Sequence, residues 1–324
     1  MAEITYREAV RRALVEEMRR DERVFIMGEE VGVWGGTYAV TRGLLDEFGE
    51  KRVRDTPISE LVIAGAAVGA AMNGLRPVAE IMTVNFALLS LDAIVNHAAK
   101  VRYMFGGQFN CPMVLRTTAG WGQLSATHSQ TFENYFAHVP GLKVIMPGTP
   151  KDAYGLLKSA IRDPDPVVFI EHTHLYRVRG EVPDEEFTLP IGRSEVKRPG
   201  RDVTVVAYSR MLHEALQAAD ELAEEEGIEC EVVDIPTLRP LDLEPIIRSF
   251  QRTYRAVLAT EQWLGYGLDA EIAAQIYEHA FDYLDAPIRR VTARPVPLPY
   301  SRDLERLALP GKDEIKQAVL EVVR

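Results

Sequence analysis

The stretch Asp55-Thr56-Pro57-Ile58-Ser59-Glu60 places an acidic residue directly before the apolar segment formed by residues 61–72. This segment is apolar on every side at a period of 3.6 residues, which predicts a helix that is buried all round. We therefore expect the Glu60 carboxyl group, in the first turn of the helix, to be buried and to have a partner. Alternatively, Glu60 only complements the positive helix N-terminus, an effect of about 0.3–1 kcal/mol that an exposed glutamate achieves equally well.

On both sides of this segment, short apolar runs alternate with helical patterns, which is typical of an α/β fold with parallel sheets. Helix starts are marked by a capping box at Thr5 and Glu8 and by Thr149 followed by Pro150. Strands are predicted at residues 24–27, 78–82, 112–117, 143–146 and 167–171, and helices at residues 89–105, 150–161 and 312–323.

The chain of 324 residues is long enough for two domains. Residues 179–201 are polar and rich in Pro, Gly and charge, which is typical of a linker, and strand–helix alternation restarts after them. We expect a first domain over residues 1–185, a linker over 186–200 and a second domain over 201–324.

The composition excludes several classes of protein. The 37 basic and 48 acidic residues give a net charge of −11, which argues against a nucleic-acid surface. Cys111 and Cys230 lack metal-type spacing and indicate free thiols in a reducing compartment. No apolar segment is long enough to span a bilayer, and no targeting segment is recognisable. We therefore expect a cytoplasmic protein without a membrane partner.

Candidate functional residues follow the strands, because ligands of parallel α/β sheets bind beyond the carboxyl ends of the strands. Glu29 and Glu30 follow the first strand, and both would have displaced pKa values if both were buried. His128 lies in a loop of small residues and suits proton transfer near neutral pH, although a structural histidine is the alternative. His172 and His174 lack a third ligand, which argues against a metal site there.

Phosphate-binding signatures are missing. No Gly-x-Gly-x-x-Gly follows a strand, and neither a Walker-type loop nor a magnesium–diphosphate motif is present. If a phosphorylated cofactor binds, we expect another chain to hold its phosphates.

Taken together, these motifs resemble the beta subunit of the thiamine-diphosphate-dependent decarboxylase component of 2-oxoacid dehydrogenase complexes. The resemblance extends over nearly the whole chain. Its most specific parts are residues 55–60, the stretch Gly74-Leu75-Arg76-Pro77-Val78-Ala79-Glu80, the triplet His128-Ser129-Gln130, and residues 140–144 and 159–166.

The resemblance implies a transketolase-like pyrimidine-binding domain followed by a transketolase C-terminal-type domain. It implies an alpha2-beta2 heterotetramer in which thiamine diphosphate lies between alpha and beta, with the alpha subunit holding the diphosphate through magnesium. The further partner is the dihydrolipoyl acyltransferase component, whose lipoyl domain receives the acyl group.

The resemblance also implies roles for individual residues. Glu60 hydrogen-bonds the pyrimidine ring nitrogen and thereby promotes deprotonation of the cofactor, and His128 transfers a proton as the acyl group passes to the lipoyl arm. Further cofactor contacts are implied at Glu29, Ile58, Ser59, Met82 and Phe86, and substrate contacts at Thr83, Val84, Asn85 and His128. A potassium ion, bound largely by backbone oxygens, is implied at Met113, Ala160, Ile161, Asp163 and Asp165.

The substrate preference is read from residues 82–86, Met-Thr-Val-Asn-Phe, which look like those of pyruvate dehydrogenases. Acetoin and branched-chain 2-oxoacid dehydrogenases remain alternatives. From other classes, a non-catalytic assembly subunit and a nucleotide-dependent dehydrogenase are the rival hypotheses; the missing glycine fingerprint argues against the latter.

Overall fold

The computed structural model describes all 324 residues, Met1–Arg324. Its strands are β1 Ala2–Thr5, β2 Val24–Gly28, β3 Val53–Asp55, β4 Arg76–Ile81, β5 Val114–Ala119, β6 Lys143–Ile145, β7 Val167–His172, β8 Arg179–Val182, β9 Glu195–Arg198, β10 Val203–Ala207, β11 Cys230–Asp234, β12 Thr237–Arg239, β13 Ala256–Trp263 and β14 Arg289–Ala293.

The helices alternate with these strands along most of the chain. The α-helices are α1 Tyr6–Arg20, α2 Leu44–Phe48, α3 Glu60–Met72, α4 Val101–Met104, α5 Ser125–His128, α6 Glu133–Ala137, α7 Pro150–Arg162, α8 Arg210–Glu226, α9 Glu244–Thr253, α10 Leu268–Ala280, α11 Arg302–Ala308 and α12 Lys312–Val323. A π-helix covers Asp92–Ala98, and 3₁₀ turns cover Phe86–Ser90, Thr173–Leu175 and Phe281–Tyr283. None of the helices combines the length and apolarity that a bilayer crossing requires.

The chain divides into two compact units. The first contains Met1–Gly120, Tyr135–Ile191 and Leu238–Pro240, and the second contains Trp121–Asn134, Gly192–Thr237 and Leu241–Arg324. Residues 121–134 therefore belong to the second unit, although they lie in the middle of the predicted first domain, residues 1–185.

The first unit is built on a seven-stranded sheet of order β12-β6-β7-β5-β4-β2-β3. The pairs of β2 with β3 and β4, of β4 with β5, and of β7 with β5 and β6 are all parallel. Strands β2, β5 and β7 are buried along their whole length, as expected when helices cover both faces of a parallel sheet. A separate antiparallel pair joins β1 to β8.

The second unit has a five-stranded sheet of order β14-β13-β10-β11-β9. Three of its four pairings are parallel, and the edge strand β9 runs antiparallel to β11. Helices α8 and α12 pack on this sheet and on each other around a core that includes Leu212, Val232 and Val319.

Local signals set several helix starts as predicted. The Thr5 side chain accepts from the Glu8 backbone N–H, and the Glu8 side chain accepts from the Thr5 backbone N–H, which completes the capping box. At α7 the Thr149 hydroxyl accepts from Asp152 N, and Pro150 occupies the first turn. The α12 helix covers the predicted residues 312–323.

Two predictions about secondary structure are wrong. The predicted helix over residues 89–105 is divided into the 3₁₀ turn, the π-helix and α4, because apolar spacing alone does not distinguish these helix types. The polar stretch over residues 179–201, which is typical of a linker, contains β8 and β9, and β9 lies within the expected linker 186–200. Both strands are partly exposed and lie at sheet edges, so their sequences are polar.

Helix α3 is also not buried all round in this chain. One face exposes Leu61, Val62, Gly65, Ala66 and Gly69, while Ile63, Ala64 and Ala67 are fully buried. The apolar pattern predicts exclusion from water, but it does not distinguish a core from a face that another chain covers.

Candidate functional site

The carboxyl ends of β2, β3 and β4 meet at one edge of the first sheet. Gly28 is in register with Asp55 on one side and with Glu80 on the other. The residues that follow these strands, from Glu29 and from Thr56 onward, therefore start from the same sheet edge. Glu60 opens α3 and is only 6% exposed, so the predicted burial of its carboxyl group is confirmed.

Glu29 is the second buried carboxyl group at this edge. Its Oε1 atom has no hydrogen-bond partner within the chain. Burial raises the pKa of Glu29, and the nearby charges of Glu60 and Glu30 raise it further. Glu30 is exposed, so the condition for mutual pKa displacement, that both adjacent acids are buried, is not met. Of these two charges, that of Glu60 has the larger effect on the pKa of Glu29, because a like charge nearby disfavours the ionised carboxylate.

Asp55 fixes the glycine-rich loop after β2. Its carboxylate accepts from the backbone N–H groups of Gly32 at 2.6 Å and Val33 at 3.2 Å. This role was missed in the sequence, although an acid at the very end of a parallel strand is a signal for a residue that holds a loop at the ligand-binding edge.

The segment Met82–Phe86 is tied to the neighbouring strand β5. The Thr118 hydroxyl donates to the Met82 carbonyl at 2.9 Å, and Val84 N donates to the Thr118 carbonyl at 2.8 Å. Within the segment, the Thr83 hydroxyl donates to Asn85 Oδ1 at 2.6 Å. These bonds fix the turn from which Phe86 starts the 3₁₀ turn that packs against α3.

The structure thus brings most of the predicted cofactor and substrate residues to one edge of the first unit. Ile58 is 81% exposed and Ser59 is half-buried, so both present side-chain surface next to the buried Glu60. The members at this edge are Glu29, Ile58, Ser59, Glu60, Met82, Thr83, Val84, Asn85 and Phe86.

Beneath this edge, Arg116 joins three adjacent strands. Its guanidinium pairs with Glu80 of β4 and with Glu171 of β7, and Arg116 Nη2 lies 2.7 Å from Glu171 Oε2. The Tyr176 hydroxyl donates to the same Glu171 oxygen at 2.7 Å. All four side chains are buried.

His128, the other predicted catalytic residue, belongs to the second unit. It ends the short helix α5 and is exposed. The following residue, Ser129, is buried, and Gln130 Nε2 donates to the Thr127 carbonyl at 2.6 Å. The histidine therefore lies at the end of a locally bonded turn.

Glu133, a buried acid near His128 in the sequence, was missed by the sequence analysis. The Tyr208 hydroxyl donates to its Oε1 at 2.7 Å, while its Oε2 has no hydrogen-bond partner within the chain. Burial raises the pKa of Glu133 to about 7, against the opposing effect of the Tyr208 hydrogen bond. Its surroundings are assembled from distant residues, so no local sequence signal marks it.

The expected potassium ligands lie around the end of α7. The carbonyls of Ile161 and Asp163 both accept from Arg76 Nη1, at 2.7 and 3.2 Å. Lys143 Nζ lies 2.6 Å from both carboxylate oxygens of Asp163. The Met113 and Ala160 carbonyls accept from backbone N–H groups of Val167 and Asp163.

No group of three or more His, Cys, Asp or Glu side chains is arranged to hold a metal ion. Of the two neighbouring histidines, His172 Nδ1 accepts from the backbone N–H of His174 at 3.2 Å.

Comparison with known families assigns both halves of the chain. Residues 2–179 match the transketolase pyrimidine-binding domain, and residues 192–315 match the transketolase C-terminal domain. A split-gene transketolase, solved as an inactive beta4 tetramer, has the same fold, with a TM-score of 0.81 over 99% of both chains at 23% identity. The predicted order of the two domain types is confirmed.

Whole-chain relatives are more similar. The pyruvate dehydrogenase E1 component subunit beta of Rhizobium meliloti is 49% identical over 99% of this chain and 70% of the relative. The mitochondrial subunit beta-2 of Oryza sativa subsp. japonica is 49% identical over 98% of this chain and 85% of the relative. The subunit beta of Rickettsia felis is 48% identical over 99% of this chain and 98% of the relative. The chain therefore belongs to the family of pyruvate dehydrogenase E1 component beta subunits.

Proposed function

We propose that this chain is the beta subunit of a pyruvate dehydrogenase, which acts with an alpha subunit in the oxidative decarboxylation of pyruvate and the acetylation of a lipoyl domain. The observation that supports the proposal most strongly is the buried pair Glu29 and Glu60 at the ligand-binding edge of the first sheet. The names of the relatives favour pyruvate over acetoin or a branched-chain 2-oxo acid.

The residues at this edge fit the pyrimidine half of thiamine diphosphate. Glu29 has a buried oxygen without a partner, and a buried polar atom needs one. Glu60 would hold the pyrimidine ring nitrogen, and Phe86 would offer an apolar ring face. When bound, thiamine diphosphate supplies the electron sink for decarboxylation. Its diphosphate and magnesium would be held by the alpha subunit in an alpha2-beta2 tetramer.

The chain's own residues then position groups and share protons. A carboxyl group at Glu60 can donate or accept a proton at the pyrimidine nitrogen, and its burial excludes competing water. The Thr83–Asn85 hydrogen bond fixes both side chains for contact with substrate. His128 would transfer a proton when the acetyl group passes to the lipoyl arm, a step for which an imidazole is suited near neutral pH.

Two finer expectations stay predictions. A potassium ion at the end of α7 would compete with the Arg76 guanidinium for two of its expected carbonyl ligands. A cytoplasmic location also stays a prediction, since relatives include proteins named as mitochondrial.

The role of Glu60 is tested with Glu60→Gln in the complex with the alpha subunit. We expect proton exchange at the thiazolium C2 of bound thiamine diphosphate to slow by about 10²–10⁴-fold, because the amide cannot share a proton with the pyrimidine nitrogen. The exchange takes place in deuterated buffer, is stopped at set times and is quantified by NMR. Assembly of the complex is measured by light scattering.

Glu30→Gln is the matched control, because Glu30 is exposed at the same sheet edge. Exchange at the unchanged rate in Glu60→Gln would refute the role of Glu60. Full turnover by the alpha subunit alone would instead favour a beta subunit that serves assembly only.

A further inference from the structure

We propose that Glu305 is a positioning residue for the loop Trp121–His128, which is called the His128 loop below. The inference rests on the proposed proton-transfer role of His128 and adds the group that holds this histidine in place. All residues involved belong to the second unit.

The Glu305 carboxylate occupies an anion-binding turn in the His128 loop. Its Oε1 accepts from the backbone N–H of Gly122 at 3.1 Å, and both carboxylate oxygens accept from the backbone N–H of Gln123, at 3.0 and 3.1 Å. Glu305 is 1% exposed, so its carboxylate is buried although Gly122 and Gln123 are exposed. Successive N–H groups that converge on one anion form a concave site that binds negative charge, and here the anion is a side chain of α11.

The backbone of the His128 loop needs such support. Gln123 and Ser125 have φ values of +59° and +70°, and Gly122 has +135°. Residues other than glycine rarely adopt the left-handed region of backbone conformation, so Gln123 and Ser125 keep it only when the surroundings impose it. The short helix that ends at His128 starts at Ser125, the last of these residues.

A second anchor holds the start of the loop. Trp121 Nε1 donates to Glu261 Oε1 at 2.8 Å, and Arg210 pairs with the same carboxylate while its guanidinium lies 5.2 Å from the Trp121 ring centroid. The Trp121 ring also packs against the cluster that contains Ala308, the last residue of α11. Helix α11 therefore binds the loop through a carboxylate and contributes Ala308 to the cluster against which Trp121 packs.

This geometry predicts a selective defect in Glu305→Gln. In the amide, an N–H donor replaces the Oε2 acceptor and faces the Gln123 N–H, and the negative charge that attracts both N–H groups is lost, so the loop relaxes. Misplacement of a catalytic group by about 1 Å costs up to about 10²-fold in rate. We expect kcat/KM for acetylation of the lipoyl domain to fall at least about tenfold in the complex with the alpha subunit. Pyruvate decarboxylation, measured with an artificial electron acceptor, should stay unchanged because it depends on the Glu60 edge.

Hydrogen exchange of the backbone amides tests the position of the His128 loop without a measurement of activity. In the same complex, Glu305→Gln should remove protection of the amides in the peptide covering residues 121–128, with other peptides unaffected. Asp303→Asn is the matched control, because it removes the same charge from the same helix at an exposed position. It should change neither acetylation nor exchange.

These experiments test the positioning role of Glu305 separately from the proton-transfer role of His128. Unchanged exchange and acetylation in Glu305→Gln would overturn the positioning role, as would an equal loss of both half-reactions together with a lower Tm. If Glu305→Gln fails to assemble, Glu305→Asp, which keeps the charge on a shorter side chain, is judged by the same criteria. Normal acetylation in His128→Gln would refute the proposed role of His128, while the exchange experiment still decides whether Glu305 holds the loop.

Discussion

At the scale of single residues, Glu133 is a buried acid whose protonation changes near neutral pH. It is 1% exposed, and its pKa is about 7 in the folded chain against an ordinary value of 4.5. At a pH between these two pKa values, Glu133 in the folded state keeps a proton that it has released in the unfolded state. Stability therefore falls as the pH rises from about 4.5 to 7, and the full loss is present above the folded pKa.

Glu133→Gln should remove this pH dependence, because the amide does not ionise. We expect the variant to be more stable than the original chain at pH 8 by about 1–3 kcal/mol, and the difference to shrink towards pH 5. The measurement is denaturant unfolding of both chains across this range. Parallel pH profiles for the two chains would contradict the assignment.

At the scale of secondary-structure elements, Arg116 links β4, β5 and β7 below the ligand-binding edge. Arg116→Met leaves Glu80 and Glu171 buried without their cation, although it keeps much of the side-chain volume. Breaking a buried ion pair by removing one partner costs about 3–5 kcal/mol. We expect a loss of this size in the free energy of unfolding, measured with urea.

The control for this prediction is Arg248→Met. Arg248 pairs with Glu244 on the surface of α9, where both side chains are about two-thirds exposed. An exposed pair of this kind contributes about 0–1 kcal/mol. Equal losses in the two variants would show that burial does not set the contribution of the Arg116 cluster.

At the scale of the whole molecule, the exposed face of α3 bears on assembly. Gly65 and Gly69 have no atom within 4 Å of the position of an added Cβ, and Leu61 and Val62 are more than half exposed beside them. Small and apolar residues at helical spacing permit close approach of another chain. We therefore expect this face to be covered by a neighbouring subunit in the proposed tetramer.

Ala66→Glu tests this expectation by placing a charge on the same face. We expect the variant to keep the Tm of the isolated chain and to lose most tetramer with the alpha subunit, measured by size-exclusion chromatography with light scattering. Ala274→Glu, on the exposed side of α10, is the matched control. A tetramer that forms equally well in both variants would place the subunit contact elsewhere.

The sequence by itself determined the features that depend on neighbours along the chain. The capping groups at Thr5 and Thr149 set helix starts through bonds to residues three positions away, so their signals are local. The apolar runs predicted parallel sheets, and Glu60 before an apolar helix predicted a buried carboxyl group. The family motifs supplied the candidate roles of Glu60 and His128.

Only the tertiary structure decided which distant groups meet. Glu261 and Glu305 reach the His128 loop across 140 and 183 positions of sequence, and Arg116 bonds to strands on both sides of its own. It also decided that one face of α3 stays exposed. The physical reason is that hydrogen bonds and burial depend on distance in space, whereas a sequence pattern reports hydrophobicity and spacing along the chain without naming the partner.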